Sequence, residues 1–282
     1  PPVRPSHLSA GCVRWLYELG REGLDGWVVA LDGMPLTAPV KVTEAMILAP
    51  AQRIDLIVDV VADVGEAAHI LQFGREEAFS QVAFEVVEGG TTNRRDAPLA
   101  LPPNDHRMVD LKEATTLSLS MEGGAMGRMR SASLGGELKP IGEIVEAGYF
   151  WSFNGRVDGI NGDPLARLDR GQNVRVKMVN DTACPHAMHL HGIHFHEVAE
   201  NGTLGPLRDT TLLERGQTRE IAFVADNPGQ WLLHCHMLSH AASGMMTKIV
   251  VGCPRDPSTL RLAEFRFRWA TYPCCPGSGA CS

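Results

Sequence analysis

Eight of the 11 histidines lie between residues 186 and 240, in two short segments. The first, residues 185–198, reads PHAMHLHGIHFHEV, and the second, residues 231–246, reads WLLHCHMLSHAASGMM. Histidine is the commonest metal ligand among the side chains. This concentration of histidine, with a cysteine in the second segment, indicates a metal-binding site. It also constrains the fold, because the chain must bring the two segments together in one region.

The second segment contains the triplet His234-Cys235-His236. Side chains alternate between the two faces of a β-strand, so Cys235 must point away from both histidines if the triplet is a strand. His240 follows Cys235 by five residues and Met245 by ten, and a loop or short helix can fold both back to the cysteine face. The triplet therefore predicts a thiolate site on one face and an imidazole pair on the other.

The first segment supplies the complementary histidines. His189 and His191 are two residues apart, so on a strand they share a face and form a second imidazole pair. His186 follows Pro185 at a strand entry and can turn to the thiolate side. A histidine, a cysteine and a second histidine with a weak methionine form the trigonal blue-copper arrangement, here His186, Cys235, His240 and Met245.

Two other metal sites are compatible with parts of this pattern. Zinc binds cysteine and histidine readily. However, the alternation of side chains along a strand points Cys235 away from His234 and His236, which argues against a single tetrahedral zinc bound by all three. A cupin site would use an HxH pair, but it does not need Cys235, His240 or Met245, and its acidic ligand would be misplaced at Glu197. Further along, His194 and His196 continue the strand alternation, and we expect them not to bind metal.

The remaining chain reads as short strands between turn residues, which is typical of antiparallel β-sandwiches. Helical turns are expected only near Val13–Arg21 and after His236. The net charge of −7 without basic clusters argues against nucleic acid as a partner, and no apolar run is long enough to span a bilayer. No signal peptide can be read in residues 1–12. The predicted strands include Trp27–Leu31, Ile54–Val60, Ala83–Val87, Val174–Val179, Thr218–Val224 and Met246–Val251.

The two metal segments resemble the multicopper oxidases. That family's third copper motif reads H-x-x-H-x-H, as at residues 186–191, and its fourth reads H-C-H-x3-H-x4-M, as at residues 234–245. Flanking residues look like the bacterial laccase-like branch: Phe153-Asn154-Gly155, Arg208-Asp209-Thr210 and Asp226-Asn227-Pro228-Gly229.

The resemblance implies a role for each motif residue. Electrons would pass from a type 1 copper through Cys235 to His234 and His236, which makes these three the catalytic residues. The implied ligands are His186, Cys235, His240 and axial Met245 for type 1 copper, His189 for type 2 copper, and His191, His234 and His236 for the type 3 pair.

The resemblance also implies an all-β fold of plastocyanin-like, cupredoxin Greek-key sandwiches, one complete and one partial. Residues 1–90 would be the end of a middle cupredoxin domain and residues 91–111 a linker. Residues 112–252 would form the C-terminal cupredoxin domain with the copper motifs, and residues 253–282 an irregular tail. Cys274, Cys275 and Cys281 crowd into that tail, and the seven cysteines do not form a disulfide framework.

The chain departs from the family in its number of histidine pairs. The family's trinuclear centre uses eight histidines from four HxH-type motifs, whereas residues 1–180 contain only His7, His69 and His106 and no HxH. We therefore expect a C-terminal portion without the first cupredoxin domain, unable to reduce dioxygen alone. Ala241 also stands where relatives often place an acid for proton delivery, which leaves the proton relay open; Asp209 is a nearby acid.

The expected function is oxidation of a phenolic, amine or cuprous substrate by a copper-dependent, laccase-like oxidoreductase with dioxygen as the acceptor. One alternative is a non-enzymatic copper-binding or electron-transfer module; another is a partner chain that completes the trinuclear site. The resemblance points to the periplasm or to export. Met121, Met126 and Met129 are interpreted as loop residues, with binding of cuprous ion as the alternative.

Overall fold

The computed structural model describes residues 6–8, 16–88, 96–124 and 126–252. Strands dominate this part of the chain, which confirms the all-β prediction. Its first eight strands precede a segment, residues 96–114, without regular structure. These strands are β1 (Ser6–Leu8), β2 (Tyr17–Glu22), β3 (Leu24–Leu31), β4 (Met34–Lys41), β5 (Met46–Leu48), β6 (Arg53–Val60), β7 (Ala67–Phe73) and β8 (Ala78–Glu85).

The first eight strands form two four-stranded sheets, in the orders β1-β6-β3-β4 and β5-β2-β7-β8. Buried residues alternate with less buried ones along β6, and Ile54, Leu56 and Val58 face a shared core. Asp32 and Gly33 close the β3–β4 hairpin, both with positive φ, at 51° and 80°. Two positive φ values are the requirement of a type I′ turn, whose twist matches that of the paired strands.

The remaining strands form a second pair of sheets, of six and five strands, in the orders β12-β9-β14-β19-β16-β17 and β13-β21-β20-β15-β18. A separate hairpin pairs β10 with β11. The elements are β9 (Thr115–Gly123), β10 (Ser131–Leu134), β11 (Glu137–Pro140), α1 (Ile141–Glu146), β12 (Trp151–Phe153), β13 (Ala166–Asp169), β14 (Asn173–Asp181), β15 (His186–Leu190), β16 (Phe195–Val198), β17 (Leu204–Arg208), β18 (Thr210–Leu213), β19 (Thr218–Val224), β20 (Gly229–Cys235), α2 (Leu238–Ala242) and β21 (Met246–Gly252), with a short 3-10 helix at Gly159–Asn161.

The main hydrophobic core lies between the six- and five-stranded sheets. Val174, Val176 and Met178 are fully buried because β14 alternates buried and less buried positions. They pack with Phe195 and Phe223 from β16 and β19. The same core contains Cys235 and Met245, so the predicted thiolate site is built into the interior rather than onto a surface loop.

Two sequence expectations need correction. The helical turn predicted near Val13–Arg21 is wrong where it is described, because Tyr17–Glu22 is a strand paired with β5 and β7. The methionines interpreted as loop residues include Met121, which belongs to β9 and is fully buried. The helical turn expected after His236 is present as α2.

The division into domains at residues 1–90, 91–111, 112–252 and 253–282 stays a prediction. Its tail, residues 253–282, lies outside the described residues, as does Cys12. Within the described ranges, both α-helices have at most six residues and are too short to cross a membrane.

Candidate metal centre

The two histidine-rich segments are neighbouring antiparallel strands, β15 and β20, in the middle of the five-stranded sheet. Met188 lies opposite Cys235, and His189 lies opposite His234. Paired residues share a face, and alternate residues of one strand share a face. This register therefore places His186 and Cys235 on the core side and His189 and His234 on the other side, as the alternation predicted.

The core-side group, here called the inner cluster, consists of His186, Cys235 and His240. The Sγ atom of Cys235 lies 3.7 Å from Nδ1 of His186 and 3.8 Å from Nδ1 of His240. The two Nδ1 atoms are 3.2 Å apart, and all three side chains are buried. Among the described residues, this is the one group of three His, Cys, Asp or Glu side chains whose ligand atoms all lie within 4.8 Å of one another.

Met245 reaches the same region through the loop after α2. Its backbone N–H donates to the carbonyl of His240 at 3.0 Å, and its own carbonyl accepts from the N–H of Cys235 at 3.1 Å. The side chain is fully buried in the core cluster that contains Cys235. The neighbouring Met246 is only half-buried, so Met245 is the more deeply buried of the two methionines.

A chain of hydrogen bonds fixes the tautomer of His186. The amide nitrogen of Asn180 donates to the carbonyls of Cys184 and Glu214, so its Oδ1 must be the acceptor for the Thr182 hydroxyl, at 2.7 Å. The Thr182 oxygen then accepts from Nε2–H of His186, also at 2.7 Å. Nδ1 of His186 consequently carries a lone pair, and it is the atom that faces Cys235.

The indole of Trp151 forms one wall of the inner cluster. Its ring centroid lies 5.1 Å from that of His186, edge to face, and 4.6 Å from that of His240. Trp151 is 5% exposed, so it limits both water access and ring rotation at the cluster. Trp151 is not predicted from the sequence, because nothing in its local pattern connects β12 to the metal segments.

The opposite face carries four histidines, here called the outer cluster: His189, His191, His234 and His236. Ring centroids are 4.8 Å apart for His189 and His191, and 5.5 Å apart for His234 and His236. Across the strands, Nε2 of His191 lies 2.9 Å from Nε2 of His234. The structure thus brings together all four imidazoles that the sequence assigned to this side.

Backbone carbonyls set the tautomers of two outer-cluster residues. His189 donates from Nδ1 to the carbonyl of Asp209 at 3.0 Å, and His234 donates from Nδ1 to the carbonyl of Cys235 at 2.9 Å. Both residues therefore carry a lone pair on Nε2. Metal-binding histidines commonly donate their second ring N–H in this way, which orients the ring and raises its basicity.

Burial keeps the candidate ligands uncharged. It lowers the pKa of His186 to about 3 and that of His234 to about 4, and neighbouring imidazoles add to both shifts. It lowers the pKa of His191 and His236 too, and it raises the pKa of the Cys235 thiol to about 12. At neutral pH the imidazoles can bind a cation directly, whereas the thiol must release its proton to solvent as the cation binds.

Asp209 is ionised beside the outer cluster. Burial opposes its charge, but hydrogen bonds from His189, Arg53 and Thr210 outweigh burial and hold the pKa of this carboxyl well below its usual range. An acid with so low a pKa accepts hydrogen bonds at neutral pH and carries no proton to deliver. Asp209 therefore orients neighbouring groups. The structure does not support it as a proton donor in place of the acid that relatives have at the position of Ala241.

The other residues considered in the sequence lie apart from both clusters. His194 is 42% exposed, with Nε2 4.0 Å from Oδ2 of Asp209, and His196 belongs to β16 in the other sheet. Met121 and Met129 are buried in different core clusters, whereas Met126 is exposed. Cys184 is a half-buried free thiol.

The inner cluster fits copper by the chemistry of its donors. One thiol and two imidazole nitrogens converge in a buried pocket with a methionine close by, which is the donor set of blue-copper centres. The cysteine and its flanking histidines serve opposite faces, so the triplet is not arranged around one tetrahedral ion.

Comparison with known proteins gives the same family. Residues 138–254 match the family model described as multicopper oxidase. A multicopper oxidase, MmcO, of Mycobacterium tuberculosis is 35% identical over 103 residues, 36% of this chain and 20% of the relative. A copper resistance protein A homologue of Pseudomonas syringae pv. tomato is 38% identical over 103 residues, 36% of this chain and 17% of the relative.

Solved structures extend the likeness to most of the chain. Lac15 from a marine microbial metagenome is 36% identical, with a TM-score of 0.67 over 89% of this chain and 55% of its own. A multicopper oxidase from Pseudomonas thermotolerans is 28% identical, with a TM-score of 0.66 over 84% of this chain and 52% of its own. The chain spans about half the length of these structures and a fifth or less of the two curated relatives. Over residues 138–254 the chain is similar to the multicopper oxidase family, and its sheets have the cupredoxin fold of the solved multicopper oxidases.

Proposed function

We propose that this chain contributes the electron-accepting copper site and half of the oxygen-reducing site of a laccase-like oxidoreductase. The observation that carries the proposal is the register of β15 and β20, which puts the inner and outer clusters on opposite faces of two adjacent strands. A single strand, β20, thereby supplies both clusters.

In the inner cluster, His186, Cys235 and His240 would hold a type 1 copper with Met245 as the axial ligand. The bound copper supplies one-electron chemistry, because thiolate favours the cuprous state and imidazole accepts either state. The protein holds the ligands in place: Thr182 orients His186, and Trp151 shields the inner cluster from water.

The catalytic residues proposed for the link between the clusters are Cys235, His234 and His236. They are consecutive in the chain, so the thiol and the imidazoles are joined by only a few covalent bonds. A hydrogen bond of 2.9 Å from Nδ1 of His234 to the carbonyl of Cys235 adds a second connection. This short path is what electron transfer between the two clusters requires.

The outer cluster would hold copper with His189 at the type 2 position and His191, His234 and His236 at the type 3 positions. Four more imidazoles are needed for the family's eight, and we propose that a first cupredoxin domain or a partner chain supplies them. The complete protein would oxidise a phenolic, amine or cuprous substrate with dioxygen as acceptor. A periplasmic or exported location is part of this proposal, since the relatives include copper resistance proteins.

A second candidate function is copper binding or electron transfer without catalysis. It is favoured by one observation: the inner cluster is assembled entirely from residues 186–245, independently of any ligand beyond them. In that case the outer imidazoles would hold a single additional ion or none.

The test is the visible spectrum of the copper-loaded chain beside two variants. We expect an intense blue thiolate-to-copper band that is lost in Cys235→Ser and retained in Cys184→Ser, the half-buried matched control. Absence of the band in folded, copper-exposed protein would contradict the type 1 assignment.

Oxygen uptake then separates the two functions. We expect the chain alone not to reduce dioxygen by four electrons, and expect activity once the missing histidine motifs are joined to it. Four-electron oxygen reduction by the chain alone would overturn the proposed incompleteness; no activity in the completed protein would favour the electron-transfer module.

A further inference from the structure

A cavity of about 370 Å³ lies on the six-stranded sheet, away from the inner cluster. Three histidines line it, His106, His194 and His196, together with the acids Asp105 and Asp226. Neither the proposed copper sites nor the core explains why His106 and His196 meet there.

His196 carries a buried nitrogen without a hydrogen-bond partner. The residue is only 8% exposed, and its Nδ1 donates to the carbonyl of Gly205 at 2.8 Å. Because a carbonyl can only accept, Nδ1 holds the proton and Nε2 holds a lone pair. Nε2 is buried, and within the described part of the chain it has no partner. Such an unpaired buried acceptor destabilises the folded protein, so its retention requires an explanation.

His106 faces His196 in a comparable state. Its Nδ1 donates to the carbonyl of Asn104 at 3.2 Å, which also leaves a lone pair on Nε2. The two ring centroids are 5.7 Å apart with an interplanar angle of 53°. The corresponding separations in the metal centre are 5.1 Å for His186 and His240 and 5.6 Å for His189 and His236.

The pair therefore has the support that metal-binding histidines have: each ring is fixed by a carbonyl on Nδ1 and leaves Nε2 available. Burial lowers the pKa of His196, so its ring is neutral and ready to accept a cation. The carboxylates of Asp105 and Asp226 line the cavity with the guanidinium of Arg107, and Arg170 donates from Nε to the carbonyl of Asp226 at 3.0 Å, so the charge around the cavity is close to balanced.

We propose that His106 and His196 bind a divalent transition-metal ion through their Nε2 atoms, at a site separate from the copper ligands. Imidazole donors suit zinc, cupric copper and nickel. The site shares no residue with the inner or outer cluster and does not depend on the proposed function.

The ion would connect two parts of the fold. His106 lies within the predicted linker, residues 91–111, and the side-chain amide of nearby Asn104 donates to the carbonyl of Gly33 at 3.3 Å in the β3–β4 turn. His196 lies on β16 of the six-stranded sheet. Binding would fasten residues 104–107 to that sheet, beside the place where the first pair of sheets contacts it.

The test is calorimetric titration of the copper-loaded chain with Zn²⁺. His106→Gln and His196→Gln should each remove one zinc equivalent or weaken its binding at least tenfold, with circular dichroism as the check on folding. His69→Gln is the matched control: His69 is half-buried on β7, with Nδ1 2.8 Å from the Ser80 hydroxyl, and this variant should bind like the parent.

The exposed position of His106 makes His106→Gln the decisive variant, because this substitution is less prone to disturb folding than one at the buried His196. Unchanged zinc stoichiometry and affinity in folded His106→Gln would overturn the proposal, as would a parent chain that binds no zinc affected by either substitution. Zinc bound solely by the outer cluster would appear as equal binding in all four proteins.

Discussion

Arg53 and Asp209, 156 residues apart in the chain, form a two-pronged ion pair: Nη1 donates to Oδ1 at 2.8 Å and Nη2 to Oδ2 at 2.7 Å. Arg53 belongs to β6 in the first pair of sheets, and Asp209 lies between β17 and β18 in the second pair. The carbonyl of Asp209 accepts from His189. The first pair of sheets therefore holds an outer-cluster ligand in place without contributing a ligand itself.

Replacing Arg53 by leucine should destabilise the protein and disturb the outer cluster. The Asp209 side chain is 13% exposed, so the variant leaves a largely buried carboxylate without its cation. We expect the free energy of unfolding to fall by about 3 kcal/mol, measured by urea denaturation. Copper retained at the outer cluster should fall as well, while the inner-cluster absorption persists.

The control for this change is Lys41→Ala. Lys41 pairs with Asp25 at 2.5 Å, but the two side chains are 40% and 35% exposed, so the loss should stay below about 1 kcal/mol. Equal losses in the two variants would show that the Arg53 pair has no special structural role.

Thr182→Val removes the hydroxyl that fixes the tautomer of His186. The variant is nearly isosteric, but it leaves Nε2–H of His186 and Oδ1 of Asn180 without this partner. We expect copper affinity at the inner cluster to fall about 10- to 100-fold, the usual effect of removing a group that orients a ligand. Competition with a copper chelator measures it. Thr218→Val, at an exposed position of β19, should leave the affinity unchanged.

The sequence predicted the two ligand faces because alternation along a strand is a local rule. It needed only the order of His234, Cys235 and His236. The same rule identified β14, along which buried and less buried residues alternate. The strands β19 and β21 were predicted as well, although β19 ends in four consecutive buried residues.

Other features depended on contacts that no local pattern records. Arg53 meets Asp209 only because two pairs of sheets dock, and Trp151 meets His240 only because β12 passes α2. Tyr17–Glu22 is a strand and not the expected helical turn, because pairing with β5 and β7, rather than its own periodicity, determines its conformation. Thr182 could have been found, since a threonine four residues before His186 is within reach of its ring.

Copper binding at the inner cluster should strengthen with rising pH. Burial raises the pKa of the Cys235 thiol to about 12, and the thiol must release its proton to solvent when it binds the metal. His186, with a pKa of about 3, is already neutral and does not compete. The apparent association constant should therefore rise about tenfold per pH unit between pH 6 and 8. Titrations across this range should show the slope in the parent and lose it in Cys235→Ser; the same slope in both would assign the proton to another group.

Gly244→Ala should disrupt the loop that carries Met245. Gly244 has a φ of +123°, and an added Cβ would lie 1.9 Å from the carbonyl oxygen of Trp151. Because this oxygen belongs to the backbone, it cannot move away by a change of side-chain rotamer. The expected loss of stability is at least about 2 kcal/mol, with a shifted or weakened blue band because Gly244 directly precedes Met245 in the loop that follows His240. Gly142→Ala in α1 is the matched control, since its Cβ would meet nothing within 4 Å, and it should leave stability unchanged or raise it by up to about 1 kcal/mol. Stability and a spectrum like those of the parent in Gly244→Ala would mean that the loop can shift to accept the added Cβ. Met245 would then be held less tightly than this backbone contact implies.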